Sequence, residues 1–281
     1  MSEAGSAATL CVRELRGFIF DADGTLYRGE AALPGAAEFV ADLCRLGVPW
    51  LVATNNSTMP PAGVAARLTR MGIPATVDDV INSSQVAAAY LAAEMPGARA
   101  LMVGETGLRE ALVEAGVPLT EDWQAADAVV VGLDRALTYA GLRDAALAIR
   151  RGARFIAANA DRTLPTELGL IPGAGSVVAF LEIATDVPAH VIGKPAPDIF
   201  HHALARLGTP AALTAAVGDR PETDIAGGQA AGLRTIGVLT GASPAEAFAA
   251  MEKSPDWVFE DLVTLRSVYL GEHRRAGGFF A

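Results

Sequence analysis

The sequence predicts an α/β protein in which a parallel-sheet core carries a second, inserted α/β domain. First, short apolar runs alternate with amphipathic stretches of helical length along the chain. Second, four polar clusters stand directly after apolar runs: Asp21-Ala22-Asp23-Gly24-Thr25, Thr54-Asn55-Asn56, Gly193-Lys194-Pro195 and Gly218-Asp219-Arg220-Pro221-Glu222-Thr223-Asp224. Open parallel sheets bind ligands beyond the carboxyl ends of their strands, so these clusters define one candidate site. Third, their spacing is uneven, with 33 residues from Asp21 to Thr54, 140 from Thr54 to Lys194 and 25 from Lys194 to Asp219. A strand-helix-strand unit takes about 30 residues, which leaves roughly 100 residues in the middle interval for an insertion.

Gly17–Phe20 reads as the first buried strand, an apolar run closed by the Asp21 cluster. Pro34 lies near the first turn of a helix that ends before Gly47, and Val48–Ala53 forms the next strand. Pro61 opens another helix, closed before Gly72. Within the insertion, strands are expected at Ala100–Val103, Ala128–Val131 and Phe155–Ala157, with helices at Leu108–Ala115 and Tyr139–Arg150. Gly173-Ala174-Gly175 lacks the third glycine of a dinucleotide loop and reads as the entry to a helix. Asp198 starts the helix Ile199–Leu207, Gly208 ends it, and Thr214–Val217 and Arg234–Leu239 supply further core strands. The expected division is a core of residues 1–83 and 188–281 with a cap of residues 84–187.

A chain of 281 residues that is 51% hydrophobic and 19% charged has the means to bury a large core. Its net charge of −10 argues against nucleic acid and anionic membranes as partners. Every apolar run is interrupted by Gly, Pro or charge well short of the roughly 18 residues a membrane span needs. The first fifteen residues lack the pattern of a secretion signal, so a cytoplasmic location is expected. Cys11 and Cys44 are too far apart for a metal or redox motif and read as inert, buried thiols. His201 and His202 lack the spacing of a zinc site.

Asp21 and Asp23 place two carboxylates on a loop at a strand end, and Asp219 follows another strand. Such an all-oxygen set suits a hard cation, and Mg²⁺ commonly takes one or two carboxylates beside waters and phosphate oxygens. A polar turn uses the same residue types. Lys194 is suited to hold Asp21 ionised and to counter a phosphoryl charge, although a lone lysine is ordinarily a solvated surface residue. Thr54 and Asn55 offer a hydroxyl and an amide to the same oxygens.

Together these four clusters resemble the haloacid dehalogenase superfamily of phosphohydrolases. Asp23 two residues after Asp21 is the phosphatase pattern within it. The similarity narrows to the NagD and p-nitrophenylphosphatase branch through Leu26-Tyr27-Arg28-Gly29, Val103-Gly104-Glu105, the run from Ala153 to Asn159, and Gly193-Lys194-Pro195-Ala196-Pro197. Related proteins often read Asn-Pro-Asp where this chain has Asn159-Ala160-Asp161.

The resemblance implies a Rossmann-like core, a large α/β cap and a Mg²⁺-dependent phosphatase acting on small phosphate monoesters through an aspartyl-phosphate. Sugar phosphates, glycerol phosphate and nucleotides are the implied substrates, with p-nitrophenyl phosphate as an artificial one. Asp21 would be the nucleophile and Asp23 the acid and later base, with Thr54 and Lys194 completing the catalytic set. Gly24, Asn55, Asn56 and Lys194 would surround the phosphoryl group, and Asn159 and Asp161 would contact the substrate from the cap. Asp21, the Asp23 carbonyl and Asp219 would hold the metal, with Asp224 acting behind them or through a water. Asp134, Arg135 and Arg162 are further cap candidates for reading the alcohol, and a homodimer formed through the cap is expected. The rival readings are a phosphotransferase or mutase of the same superfamily and a catalytically silent regulatory module. The interval of 33 residues after Asp21 leaves no room for the helical cap that the mutases carry there.

Overall fold

The computed structural model describes residues 10–166 and 169–272. Six parallel strands form the core sheet in the order Trp257–Phe259, Arg234–Val238, Thr214–Gly218, Gly17–Phe20, Trp50–Thr54, Val80–Asn82. Gly17–Phe20 lies in the middle, with Phe20 opposite Val217 on one side and Val52 on the other. A strand covered on both faces reads as a continuous apolar run, and all four of its residues are buried. Phe18 and Phe20 pack with Phe39 and Tyr269 on one face, the Phe18 and Phe39 rings meeting edge-on at 5.3 Å. Ile19 turns to the opposite face, as the two-residue strand period requires.

The helix Ala36–Leu46 buries Ala36, Phe39, Val40 and Leu43, the spacing of a single helical stripe. Gly47 ends it in the left-handed conformation, at φ 67°. Pro61 occupies the first position of the helix Pro61–Arg70, where its missing N–H costs nothing. On the other face of the sheet lie the helices Ser83–Glu94 and Asp198–Leu207.

A second sheet holds four parallel strands in the order His190–Val191, Arg154–Ala157, Ala128–Val131, Ala100–Val103. Val129, Val131 and Phe155 face Ala145, Ile149 and Leu181 from the helices Tyr139–Arg150 and Ala174–Thr185. Ala128, Val130 and Ile156 point the other way and join the cluster of Val86, Leu91, Leu51 and Phe200. The helix Ser83–Glu94 thereby fuses the apolar interiors of core and cap.

The structure departs from expectation where elements are short. Core strands Val80–Asn82 and Trp257–Phe259 and cap strand His190–Val191 have two or three residues each, too few to show a period. His190–Val191 lies beyond residue 187, so the cap sheet runs past the boundary the sequence suggests. The strand expected at Val48–Ala53 begins at Trp50 and ends at Thr54. Both thiols are exposed rather than buried, because Cys44 sits one position off the buried stripe that contains Leu43. No helix among the described residues is long and apolar enough to cross a membrane.

Candidate active site

Three neighbouring strands end on one rim. Asp21 follows Phe20, its N–H still bonded to the Val217 carbonyl at 2.8 Å. Thr54 closes the next strand, and Gly218 delivers Asp219 from the other side. Lys194 arrives from the chain returning out of the cap. Asn55 fixes that return by accepting the Lys194 N–H on Oδ1 at 2.8 Å and donating Nδ2 to the Lys194 carbonyl at 3.0 Å.

The Lys194 side chain is 3% exposed, and its ammonium donates to Asp21 Oδ1 at 2.5 Å and to Asp224 Oδ1 at 2.7 Å. Burial works against its charge, but the two carboxylates outweigh that and raise its pKa. Asp224 lies in a π-helical turn, Pro221–Ile225, and its Oδ2 accepts the Arg220 N–H at 3.1 Å. Asp21, Asp219 and Asp224 bring oxygens within 4.8 Å of one another.

Burial raises the Asp21 carboxyl well above its ordinary range, opposed by Lys194 and reinforced by Asp224 and Asp219. Asp219 is pushed up to about 6 by burial and by the charge of Asp224. Its Oδ2 accepts the Ala242 N–H at 2.7 Å, while its buried Oδ1 has no hydrogen-bond partner among the described residues. Three carboxylates gathered beside one ammonium, one of them with an orphaned buried oxygen, point to a missing ligand. The donor set therefore fits a hard divalent cation.

Gly24 is required where it stands. Its φ is +87°, and a Cβ there would lie 2.6 Å from Asp219 Oδ2. Asp23 opens to the cleft, but the surrounding protein strips enough water to raise its carboxyl above the ordinary range, against the opposing Arg67 charge. The buried Tyr27 hydroxyl donates to Asp23 Oδ2 at 3.2 Å, and the Arg67 guanidinium covers the Tyr27 ring at 4.6 Å.

The cap residues separate by role. Asn159 is buried, donating Nδ2 to the Asn55 carbonyl at 2.7 Å and accepting the Asp161 N–H on Oδ1 at 3.1 Å. Its amide is thus committed to the joint between cap and core. Asp161 accepts from Asn55 Nδ2 at 3.1 Å and lines the cleft, with burial raising its carboxyl. The helix entry at Gly173 and Gly175 presses against the loop Asn159-Ala160-Asp161. A Cβ on Gly175 would lie 2.3 Å from the Ala160 carbonyl oxygen. Asn56 uses its Oδ1 to cap the turn at Thr58 and Met59.

Asp21, Asp23, Thr54, Asn55, Asn56, Asn159, Asp161, Lys194 and Asp224 all line one cleft of about 130 Å³, and Arg135 reaches it from the cap. Asp134 instead borders a separate cap cavity of about 430 Å³, and Arg162 is exposed outside both. Sequence reasoning gave no role to Tyr27, Arg220 or Glu105. Glu105 grips Arg135, its Oε1 accepting Nε at 2.8 Å and its Oε2 accepting Nη2 at 2.6 Å. Nothing in the local sequence announces a pairing across 30 residues.

A parallel-sheet core whose strand ends gather a lysine and three carboxylates beneath an α/β cap defines a phosphoric monoester hydrolase. A family model of haloacid dehalogenase-like hydrolases matches residues 18–118, and a second HAD-like hydrolase model matches residues 191–265. The chain is 39% identical to the acid sugar phosphatase of Staphylococcus saprophyticus over 89% of this chain and 96% of that protein. It is 40% identical to the 5'-nucleotidase YutF of Bacillus subtilis, covering 89% and 97%. Among solved structures, a thermostable NPPase of Geobacillus stearothermophilus superposes with a TM-score of 0.84 at 41% identity, covering 89% of this chain and 97% of that one. The glycerol phosphate phosphatase of Mycobacterium tuberculosis in complex with magnesium gives 0.85 at 40% identity, covering 92% and 78%. The chain belongs to the haloacid dehalogenase-like hydrolases, in their NagD branch.

Proposed function

We propose that this phosphatase is Mg²⁺-dependent and hydrolyses small polyol or sugar phosphates through an aspartyl-phosphate. The observation that carries the reading is Lys194, buried between Asp21 and Asp224 beside the orphaned Asp219 Oδ1. Lys194 occupies Asp21 Oδ1, which leaves Oδ2 as the nucleophilic oxygen. Asp21 attacks phosphorus and the ester P–O bond breaks, while Asp23 gives its proton to the departing alcohol oxygen. Asp23 then takes a proton from water, whose oxygen attacks phosphorus and releases Asp21 and inorganic phosphate. Tyr27 supports both steps, because its hydroxyl holds one Asp23 oxygen and leaves the other for proton transfer.

Mg²⁺ bound by Asp21, Asp219 and the Asp23 carbonyl would offset the repulsion between nucleophile and phosphate. Both Asp224 side-chain oxygens are already engaged, which supports an indirect part for that residue. The magnesium complex of the mycobacterial glycerol phosphate phosphatase supports the choice of ion. That relative and the acid sugar phosphatases support polyol substrates, while the nucleotidase relative keeps nucleotides in the first panel to be assayed.

Release of inorganic phosphate from a panel of esters, with and without Mg²⁺, tests the assignment. A purified enzyme inert toward every ester would overturn it, and phosphate moved onto a second hydroxyl would favour the phosphotransferase reading. Asp23→Asn is expected to lower kcat by about a hundredfold or more on alkyl phosphates and by much less on p-nitrophenyl phosphate. Equal losses on both would contradict the acid role.

The cap substitutions should divide as their contacts do. Asp161→Ala is expected to reorder the esters by kcat/KM with Mg²⁺ dependence intact, since fixed polar groups discriminate among alcohols. Asn159→Ala should cost about 1–3 kcal/mol of stability, because it strips partners from the Asn55 carbonyl and the Asp161 N–H. Thermal melts that leave Asn159→Ala unchanged would remove it from the joint.

A homodimer through the cap completes the proposal. The adjacent helices Tyr139–Arg150 and Ala174–Thr185 expose Leu147, Phe180 and Ile183, with Val187 close by. Light scattering should give twice the chain mass of 29.0 kDa, and a mass near 29.0 kDa would refute it.

A further inference from the structure

The cleft contains three cations, Arg135, Lys194 and Arg220. Lys194 is held by Asp21 and Asp224. Arg135 is held along the Nε–Nη2 edge of its guanidinium by Glu105, which also accepts its backbone N–H at 3.0 Å. The Arg220 guanidinium makes no hydrogen bond or ion pair with any of the described residues. Its backbone is nevertheless anchored, through the N–H bond to Asp224 Oδ2 and through Pro221, which begins the following turn. A fixed backbone beneath an unspent fork of donors is an arrangement suited to binding.

The charges felt most strongly by Asp21 are Lys194, Asp224 and Asp219, whereas Arg220 acts on Asp23, Asp161 and Asp219. Arg220 lines the cleft with Asp23 and Asp161 and stands between Asp219 on the rim and the cap loop. The geometry points to Arg220 as a specificity residue that donates to oxygens of the alcohol portion, favouring esters with a hydroxyl on the carbon next to the ester carbon or a carboxylate bonded to the ester carbon itself. This rests on the phosphatase mechanism proposed above. Asp161, facing the same space, can accept a hydrogen bond from a hydroxyl, so the two side chains together offer a donor and an acceptor to a vicinal diol.

Three esters of matched size separate the possibilities: ethyl phosphate, 2-hydroxyethyl phosphate and phosphoglycolate. They carry no further oxygen, a neutral hydroxyl and a carboxylate respectively. With Mg²⁺ present, Arg220→Gln is expected to lower kcat/KM on at least one oxygen-bearing ester by about tenfold or more beyond its effect on ethyl phosphate. Loss confined to 2-hydroxyethyl phosphate identifies hydroxyl recognition, and loss confined to phosphoglycolate identifies carboxylate recognition. Arg220→Lys, which keeps the charge and removes the fork, should recover phosphoglycolate more fully than 2-hydroxyethyl phosphate. Equal losses on all three esters would overturn the inference by assigning Arg220 to the phosphoryl group or to the fold, and no loss on any would overturn it as well. Wild-type enzyme inert toward these esters and p-nitrophenyl phosphate would instead overturn the mechanism, and the inference with it.

Discussion

Asp21→Asn should lower kcat by about a thousandfold or more while the chain remains folded. The amide preserves the shape of the carboxyl and still offers an oxygen to Lys194, so packing is undisturbed. What disappears is the negative charge, and with it both the proposed nucleophile and a share of the proposed cation site. Initial rates at saturating Mg²⁺, read beside a thermal melt, give the result. Activity above a tenth of wild type would mean that another group attacks phosphorus.

Lys194→Met should produce the largest loss of stability and a comparable loss of turnover. Methionine keeps an unbranched apolar stem but leaves Asp21 and Asp224 facing each other without the ammonium. Breaking a buried ion pair from one side costs about 3–5 kcal/mol. In a chain of this size each kcal/mol moves Tm by about 2–4 °C, so a fall of about 10 °C is expected. Calorimetry of the metal-free protein measures it, and a melting point within about 2 °C of the parent would show that Lys194 does not hold the rim together.

The elements most legible in the sequence are the ones buried on both faces or amphipathic over several turns. Ala100–Val103 and Ala128–Val131 are continuous apolar runs, and Tyr139–Arg150 repeats its apolar stripe across three turns, so their limits coincide with those read from pattern. Val80–Asn82 and His190–Val191 owe their extended form to a neighbouring strand, which no local pattern records. The rim clusters were visible because a polar residue directly after a buried strand has few other duties. The use made of each cap side chain was not visible. Asn159 and Asp161 look alike on the page as polar loop residues, and only tertiary contacts show that Asn159 has both its oxygen and its nitrogen engaged, whereas Asp161 gives one oxygen to Asn55 and keeps the other for the cleft. Arg220 was passed over because its distinction is the partner it lacks.

The central place of Gly17–Phe20 also has a consequence for biosynthesis. One of its two neighbours, Trp50–Thr54, emerges from the ribosome soon afterwards, but the other, Thr214–Gly218, follows only after the whole cap has been made. Until then a strand carrying Phe18, Ile19 and Phe20 presents an open edge of unpaired amides, the kind of surface on which nascent chains stick to one another. Lys194 and Asp224 are likewise late arrivals, so a partly synthesised chain has Asp21 but neither the ammonium nor the full acidic set that surrounds it in the folded protein. Chains truncated before Thr214 should accumulate as aggregates, and co-expression of a separate segment covering residues 188–281 should rescue their solubility by supplying the missing strand in trans.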